Sequence, residues 1–309
     1  MFQRSLGNFG TNYTFLEELF FGISCKIYLV QDSSGKDYAL KLFNKNVSQE
    51  HFEIELNACR LLCHEQNPDF IRYISSSEDD GITDMKYIVF EYAKKSSLNN
   101  YISPENPFDE NDCKILFWKI CKMVERLHEL NFSHRDLNID NILLDPNYDP
   151  KLGDFGSTKY CLNQNGKSDL FLKNIKFFAP PELTEGNKSY SYKKLDIFSL
   201  GLLLLYIRTG KQVFLMQKDN VYKYIKKKKF DLFWKIIESG AQELDLTPNF
   251  KDLIISMIAH NYRNRPSIMD VINHPWFDDI RSFSYEEFLA GQITLKNKMK
   301  KIENSFREK

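Results

Sequence analysis

Glycine and proline are scarce, 13 and 10 in a chain of 309 residues. That excludes collagen-like, elastic and low-complexity architectures. A charge excess of either sign is missing too: 42 Lys and Arg stand against 42 Asp and Glu. No nucleic acid and no anionic membrane is therefore expected as a global electrostatic partner. The six cysteines (Cys25, Cys59, Cys63, Cys113, Cys121 and Cys161) form no C-x-x-C pair and meet no histidine cluster, which speaks against a zinc site. They read as reduced packing thiols of a cytoplasmic protein, with nuclear access left open. A membrane-length run is also lacking. The most apolar stretch, Leu195 to Ile207, is too short to span a bilayer and contains Asp196. The first ten residues, MFQRSLGNFG, have no apolar core for export, and Phe2 stands where myristoylation needs glycine.

What remains is a globular composition, 42% hydrophobic and 27% charged, long enough for two packed lobes. Lys26 to Val30 and Lys36 to Leu42 have strand character, and Asp32-Ser-Ser-Gly35 between them predicts a hairpin turn. Phe52, Leu56, Cys59 and Cys63 recur at helical spacing within Ser48 to Cys63. Strand patterns return at Ile71 to Ile74 and Lys86 to Tyr92. Beyond residue 93 long helical segments dominate, among them Cys113 to Leu130, Leu195 to Arg208 and Lys251 to His260. The chain therefore divides near residues 92 to 95. The Lys226 to Lys229 run reads as a solvated helix face. In the tail, Leu295, Met299 and Ile302 fall at helical spacing among Lys296, Lys298, Lys300 and Lys301.

Two motifs carry chemistry. His134-Arg-Asp-Leu-Asn-Ile-Asp-Asn141 precedes the apolar strand Ile142 to Leu144, and Gly153-Asp-Phe-Gly156 follows at the next turn. Asp154 and Asn141 offer the oxygen ligands that a hard ion such as magnesium prefers, while Asp136 can orient a hydroxyl. A surface Asp/Asn turn is the bland alternative. HRDxxxxN followed at this distance by DFG is far more specific than that.

The chain here resembles a eukaryotic protein kinase catalytic domain over residues 13–277, of the Ser/Thr group, with a calcium/calmodulin-kinase-like ending at His274-Pro-Trp-Phe277. The resemblance implies an α+β, bilobal fold. The small strand-rich lobe would be 13–92, the helical lobe 93–277, and a helical extension would follow at 278–309. It further implies ATP and Mg2+ as cofactors and a protein substrate. Lys41, in Tyr38-Ala-Leu-Lys41, would hold the α- and β-phosphates, with Glu55 as its helix partner and Glu53 as the alternative. Leu19, Phe20, Gly22, Ile27 and Ala39 would cover the nucleotide from one side and Leu143 from the other. Phe90 would gate the adenine pocket, and backbone groups of Glu91 and Ala93 would meet the adenine edge. Asp136 would be the catalytic base, with Asn141 and Asp154 on metal. Phe178 to Glu182 resembles the end of the activation segment, Asp196 the anchor of the catalytic loop, and Arg265 the partner of Glu182.

Three positions depart from the family. Phe20, Gly22 and Cys25 stand at the three glycines of the phosphate loop, so only one glycine is kept. Glycine matters there because it permits close backbone approach to phosphate. Asn138 replaces the lysine that normally adds charge at the transferred phosphoryl, a loss that costs about 2.7–4 kcal/mol at comparable sites. Asn174 and Ile175 replace the Gly-Thr pair before the segment end. Ser168 is the candidate phosphorylation site facing Arg135. The expected activity is Ser/Thr phosphotransfer. The alternative is a pseudokinase that binds nucleotide or scaffolds. The basic tail is a candidate contact for a regulatory protein, set against simple packing on the large lobe.

Overall fold

Period-two alternation builds the first sheet. The computed structural model describes residues 12–64, 66–81, 85–104, 108–161, 180–185, 190–211, 221–239 and 244–307. Ser168, Asn174, Ile175, Phe178 and Ala179 lie outside the described residues. Strands β1 (Thr14–Phe21), β2 (Cys25–Gln31), β3 (Asp37–Phe43), β4 (Tyr73–Ser76) and β5 (Tyr87–Glu91) pair antiparallel in the order β1-β2-β3-β5-β4. Tyr28, Val30, Tyr38, Leu40, Tyr87 and Val89 point to one face and pack with Tyr13 into a buried cluster. The opposite face takes Ile27, Ala39, Lys41, Ile88 and Phe90. Ile27 is registered on Lys41, Lys41 on Ile88, and Ala39 on Phe90, and opposed residues of paired strands share a face. The β2–β3 turn forms where Asp32-Ser-Ser-Gly35 predicts it. Asp32 Oδ1 accepts the Ser34 and Lys36 N–H groups at 2.8 and 3.0 Å.

Helix α1 (Gln49–Leu62) starts at Ser48, whose Oγ accepts the His51 N–H at 3.2 Å. Phe52, Leu56, Cys59 and Cys63 are buried, as their spacing predicts. Strands β6 (Phe132–Ser133), β7 (Ile142–Leu144), β8 (Pro150–Leu152) and β9 (Lys159–Tyr160) pair as β6 with β9 and β7 with β8. By contacts the chain forms two compact units. One comprises Met1–Ser96 and Leu143–Thr158, the other Ser97–Ile142 and Lys159–Lys309. Residues 143–158 go with the first unit because backbone bonds tie them there. Ile71 N–H donates to Leu152 O at 2.9 Å, Leu152 N–H to Asp69 O at 2.9 Å, and Leu144 N–H to Ser96 O at 2.8 Å.

The second unit is helical: α2 (Glu110–Glu129), α3 (Pro181–Thr184), α4 (Tyr192–Thr209), α5 (Tyr222–Lys226), α6 (Phe230–Ser239), α7 (Pro248–Met257), α8 (Ile268–Ile272), α9 (Asp278–Ser282) and α10 (Tyr285–Arg307). Helix α4 is buried almost all round, as expected of a helix that forms a core rather than covering one. No described helix is long and apolar enough to cross a membrane.

The tail helix α10 lies on α2. Leu295, Met299 and Ile302 are buried, and Lys298 Nζ donates to Asp112 at 2.8 Å. Lys114 Nζ likewise reaches Asp279 Oδ2 at 2.6 Å. A side chain at Gly291 would collide with Ile115, so glycine lets the two helices approach closely. Met299→Ala is expected to lower unfolding stability by about 2–3 kcal/mol. The half-exposed Ile293 (51%) serves as control, with Ile293→Ala expected within about 0.5 kcal/mol. Equal urea midpoints for the two variants would show that α10 is not held on α2.

Candidate active site

In the first unit three charged side chains converge. Lys41 Nζ donates to Glu55 Oε1 at 2.5 Å and to Asp154 Oδ1 at 2.8 Å. Lys41 and Glu55 are 8% and 2% exposed, whereas the Asp154 side chain is 45% exposed. Burial pulls the Lys41 ammonium down, but the Asp154 and Glu55 carboxylates outweigh it and hold its pKa well above the usual value. Lys41 is therefore charged throughout the neutral range. Burial raises the Glu55 pKa, and the Lys41 charge offsets part of that rise. Of the two candidate helix acids, Glu55 makes the pair. Glu53 accepts a bond from Gln49 on the exposed side of α1.

Asp154 sits in the left-handed region, φ 58° and ψ 78°, a conformation that costs about 1–3 kcal/mol outside glycine. The surroundings over-determine it. Phe155 is fully buried against Phe70, with ring centroids 5.5 Å apart. A Cβ on Gly156 would stand 2.7 Å from Glu55 Oε2. Glycine at 156 thus leaves room for the carboxylate that holds Lys41. Gly156→Ala is expected to push Glu55 aside and reduce phosphotransfer on the order of tenfold to a hundredfold. Labelled-phosphate incorporation measures it, and an unchanged rate would mean that the Lys41–Glu55 pair is dispensable.

Other residues expected around the nucleotide also fall in this unit. Ile27, Ala39 and Phe90 share the sheet face of Lys41. Leu143 packs over Gly153, where a Cβ would lie 2.8 Å from Leu143 Cδ1. The Glu91 N–H is bonded to Arg72 O and the Ala93 carbonyl accepts Ser96 N–H. The Glu91 carboxylate takes Lys151 Nζ at 2.5 Å and Arg72 N–H at 2.9 Å. Leu19 and Phe20 are exposed. The loop between β1 and β2 is closed on itself: Gly22 N–H donates to Cys25 O at 2.9 Å. The Phe20 ring lies where a Cβ on Gly22 would be, 2.6 Å from Cε1. Burial raises the Cys25 thiol pKa, against the lowering by Lys41, so this cysteine stays protonated.

The second unit holds its own candidate residues. Asp196 is fully buried and accepts three bonds, from His134 N–H at 2.9 Å, Arg135 N–H at 2.7 Å and His128 Nε2 at 2.8 Å. Burial alone would raise the Asp196 pKa, but the bonds from His128 and Arg135 bring it below the ordinary value. Arg135 is left-handed at φ 66°, a strain that the Asp196 bonds hold in place, and its guanidinium lies over the Tyr192 ring at 5.3 Å. Asn141 Nδ2 donates to Asp136 O at 2.8 Å, which fixes the amide so that its oxygen is the atom offered to a ligand. A carboxylate at 154 in the first unit and a carboxamide oxygen at 141 in the second are each the kind of donor that a hard divalent ion takes. Asn138 Nδ2 reaches both the Asp136 carbonyl and carboxylate at 3.2 Å.

Glu182 and Arg265 meet as expected, NH1 to Oε1 at 2.6 Å and NH2 to Oε2 at 2.7 Å. His128 and Phe70 went unread in the sequence. Their partners lie far along the chain, 68 residues away for His128 and Asp196, and no local spacing marks them.

A strand-rich unit with a Lys–Glu–Asp triad, followed by a helical unit with an anchored HRDxxxxN loop, defines the catalytic domain of a protein kinase. The family model for the protein kinase domain matches residues 13–277, and the chain belongs to that family. Its relatives include the serine/threonine-protein kinase ppk6 of Schizosaccharomyces pombe, 28% identical over 286 residues, which cover 87% of this chain and 34% of the relative. The cell cycle serine/threonine-protein kinase CDC5/MSD2 of Saccharomyces cerevisiae is 26% identical over 82% of this chain and 34% of its own length. The carbon catabolite-derepressing protein kinase of Candida glabrata is 29% identical over 95% of this chain and 46% of its own. The chain thus spans about a third to a half of the length of these relatives. The fold class and the kinase family agree with the sequence reading, and ppk6 and CDC5/MSD2 are themselves named serine/threonine-protein kinases.

Proposed function

We propose that this domain transfers the γ-phosphoryl group of ATP to a Ser or Thr hydroxyl of a protein substrate. The Lys41–Glu55–Asp154 triad carries the proposal. A buried ammonium held charged by two carboxylates is built to face phosphate, and a merely structural lysine has no need of the second, half-exposed acid. In this reading Lys41 binds the α- and β-phosphates, kept in place by Glu55. Asp136 orients the hydroxyl and accepts its proton as the oxygen–phosphorus bond forms and ADP leaves. Asp154 and Asn141 are the residues that would hold magnesium, which when bound neutralises phosphate charge. Ile27, Ala39, Phe90 and Leu143 supply the apolar surround of the base, with Leu19 at its edge. Ser168 remains the proposed phosphorylation site. The domain is proposed to work in the cytoplasm.

A nucleotide-binding scaffold without transfer is the second reading. The loop after β1 favours it, because the Gly22 N–H is turned back on Cys25 and Phe20 replaces a glycine. Transfer of labelled γ-phosphate to a generic protein substrate, with magnesium and manganese in parallel, decides between the two. Incorporation that Asp136→Asn abolishes supports the kinase. Nucleotide binding without incorporation supports the scaffold. A regulatory partner at the tail would, on this proposal, meet the exposed side of α10, since Leu295, Met299 and Ile302 are buried where α10 lies on α2.

A further inference from the structure

The lysine that kinases usually place two residues after the catalytic Asp is Asn138 here, and its side chain is fully engaged inside the loop. Its Oδ1 accepts the N–H groups of Asp140 at 2.9 Å and Asn141 at 3.2 Å. Those bonds cap the short 3-10 turn Ile139–Asn141. They also fix which end of the amide points where, so Nδ2 faces Asp136, at 3.2 Å from both the backbone oxygen and the carboxylate Oδ1. Asn141 approaches the same aspartate from the other side, with Nδ2 at 3.4 Å from Oδ2. One planar amide thus joins the turn that carries Asn141 to the carboxylate of Asp136.

We propose that Asn138 is a positioning residue for Asp136, a tether in place of the phosphoryl-contacting charge that a lysine would supply. A carboxylate that must meet a substrate hydroxyl works only in a narrow range of orientations, and small misplacements cost rate steeply. Two amides, one on each carboxylate oxygen, leave the Asp136 side chain little rotational freedom. Asn138 also has a separate structural duty as the turn's cap, and the two duties sit on different atoms. The oxygen caps and the nitrogen tethers, so they can be separated. The inference rests on Asp136 being the base.

Asn138→Ser separates them. A serine hydroxyl caps a helical turn about as well as asparagine, adds no charge, and is too short to reach the Asp136 carboxylate while capping. The expected result is a kcat reduced about tenfold to a hundredfold, with the KM for ATP, the KM for protein substrate and the melting temperature all near wild type. Asn138→Ala, which removes both functions, should lose kcat to the same extent and melt lower as well. A kcat for Asn138→Ser within twofold of wild type overturns the proposal. So does a melting temperature that falls in step with kcat, because that makes Asn138 only a cap. Asp136→Asn, run in the same series, tests the foundation separately. If that variant retains transfer, the base assignment fails, whatever the serine variant does.

Discussion

Asp136→Asn protein binds nucleotide as wild type does and transfers phosphate about 10² to 10⁴ times more slowly, the usual contribution of a positioned general base. The substitution is nearly isosteric, so the loop should survive it. The backbone N–H groups of His134 and Arg135 still meet Asp196, and Asn141 still donates to the backbone oxygen of residue 136. The lost element is the carboxylate that accepts the proton. Initial-rate transfer assays with saturating nucleotide give kcat, and the melting temperature reports whether the loop is intact. An unchanged kcat removes Asp136 from the chemistry. A kcat loss with a matching fall in melting temperature assigns it to structure. Lys41→Met is expected to fail differently. It strands Glu55 in a 2% exposed site opposite Asp154, so nucleotide affinity and stability should fall with the rate.

How far such outcomes could be foreseen from sequence differs from residue to residue. Strand alternation and the 3.6-residue spacing of Phe52, Leu56 and Cys59 are local properties, and the elements formed where those patterns lie. Lys41, Asp136, Asn141 and Asp154 were legible because their motifs are contiguous. Choosing Glu55 over Glu53 needed the structure. Both acids sit on one helix, and only packing shows which of them turns toward β3. The same limit hid the two uses of Asn138. The sequence shows a missing lysine, whereas the bonds to Asp140, Asn141 and Asp136 depend on the backbone path of a six-residue loop. The tail was ambiguous for another reason. An amphipathic stripe at Leu295, Met299 and Ile302 states that something apolar must cover it, and α2 of the same chain does so.

Arg265→Met is expected to destabilise the domain by about 3–5 kcal/mol, the cost of leaving one member of a buried ion pair without the other. Arg265 and Glu182 are 2% and 1% exposed, so no water replaces the lost partner. The guanidinium also donates from Nε to Ala259 O at 2.9 Å and from NH1 to Lys194 O at 2.9 Å, and it lies 4.6 Å over the Phe198 ring. Methionine retains much of the apolar contact and none of these four bonds. Arg265→Lys should recover little, because an ammonium cannot reproduce the paired geometry of NH1 and NH2 on the two carboxylate oxygens. Glu182→Gln is expected to be milder, since a neutral amide can still accept one bond. The double variant Glu182→Gln, Arg265→Met should cost less than the sum of the two singles, as residues in direct contact couple by about 0.5–3 kcal/mol. Urea unfolding of the four proteins measures this. Strict additivity, or a loss below about 1 kcal/mol for Arg265→Met, would show that the pair does not hold α3 to the second unit. With the coupling present, α3 is fastened by charge and geometry together to Arg265, 83 residues from Glu182 in sequence, which in turn donates to Lys194 O at the start of α4, and its position is set by the core of that unit.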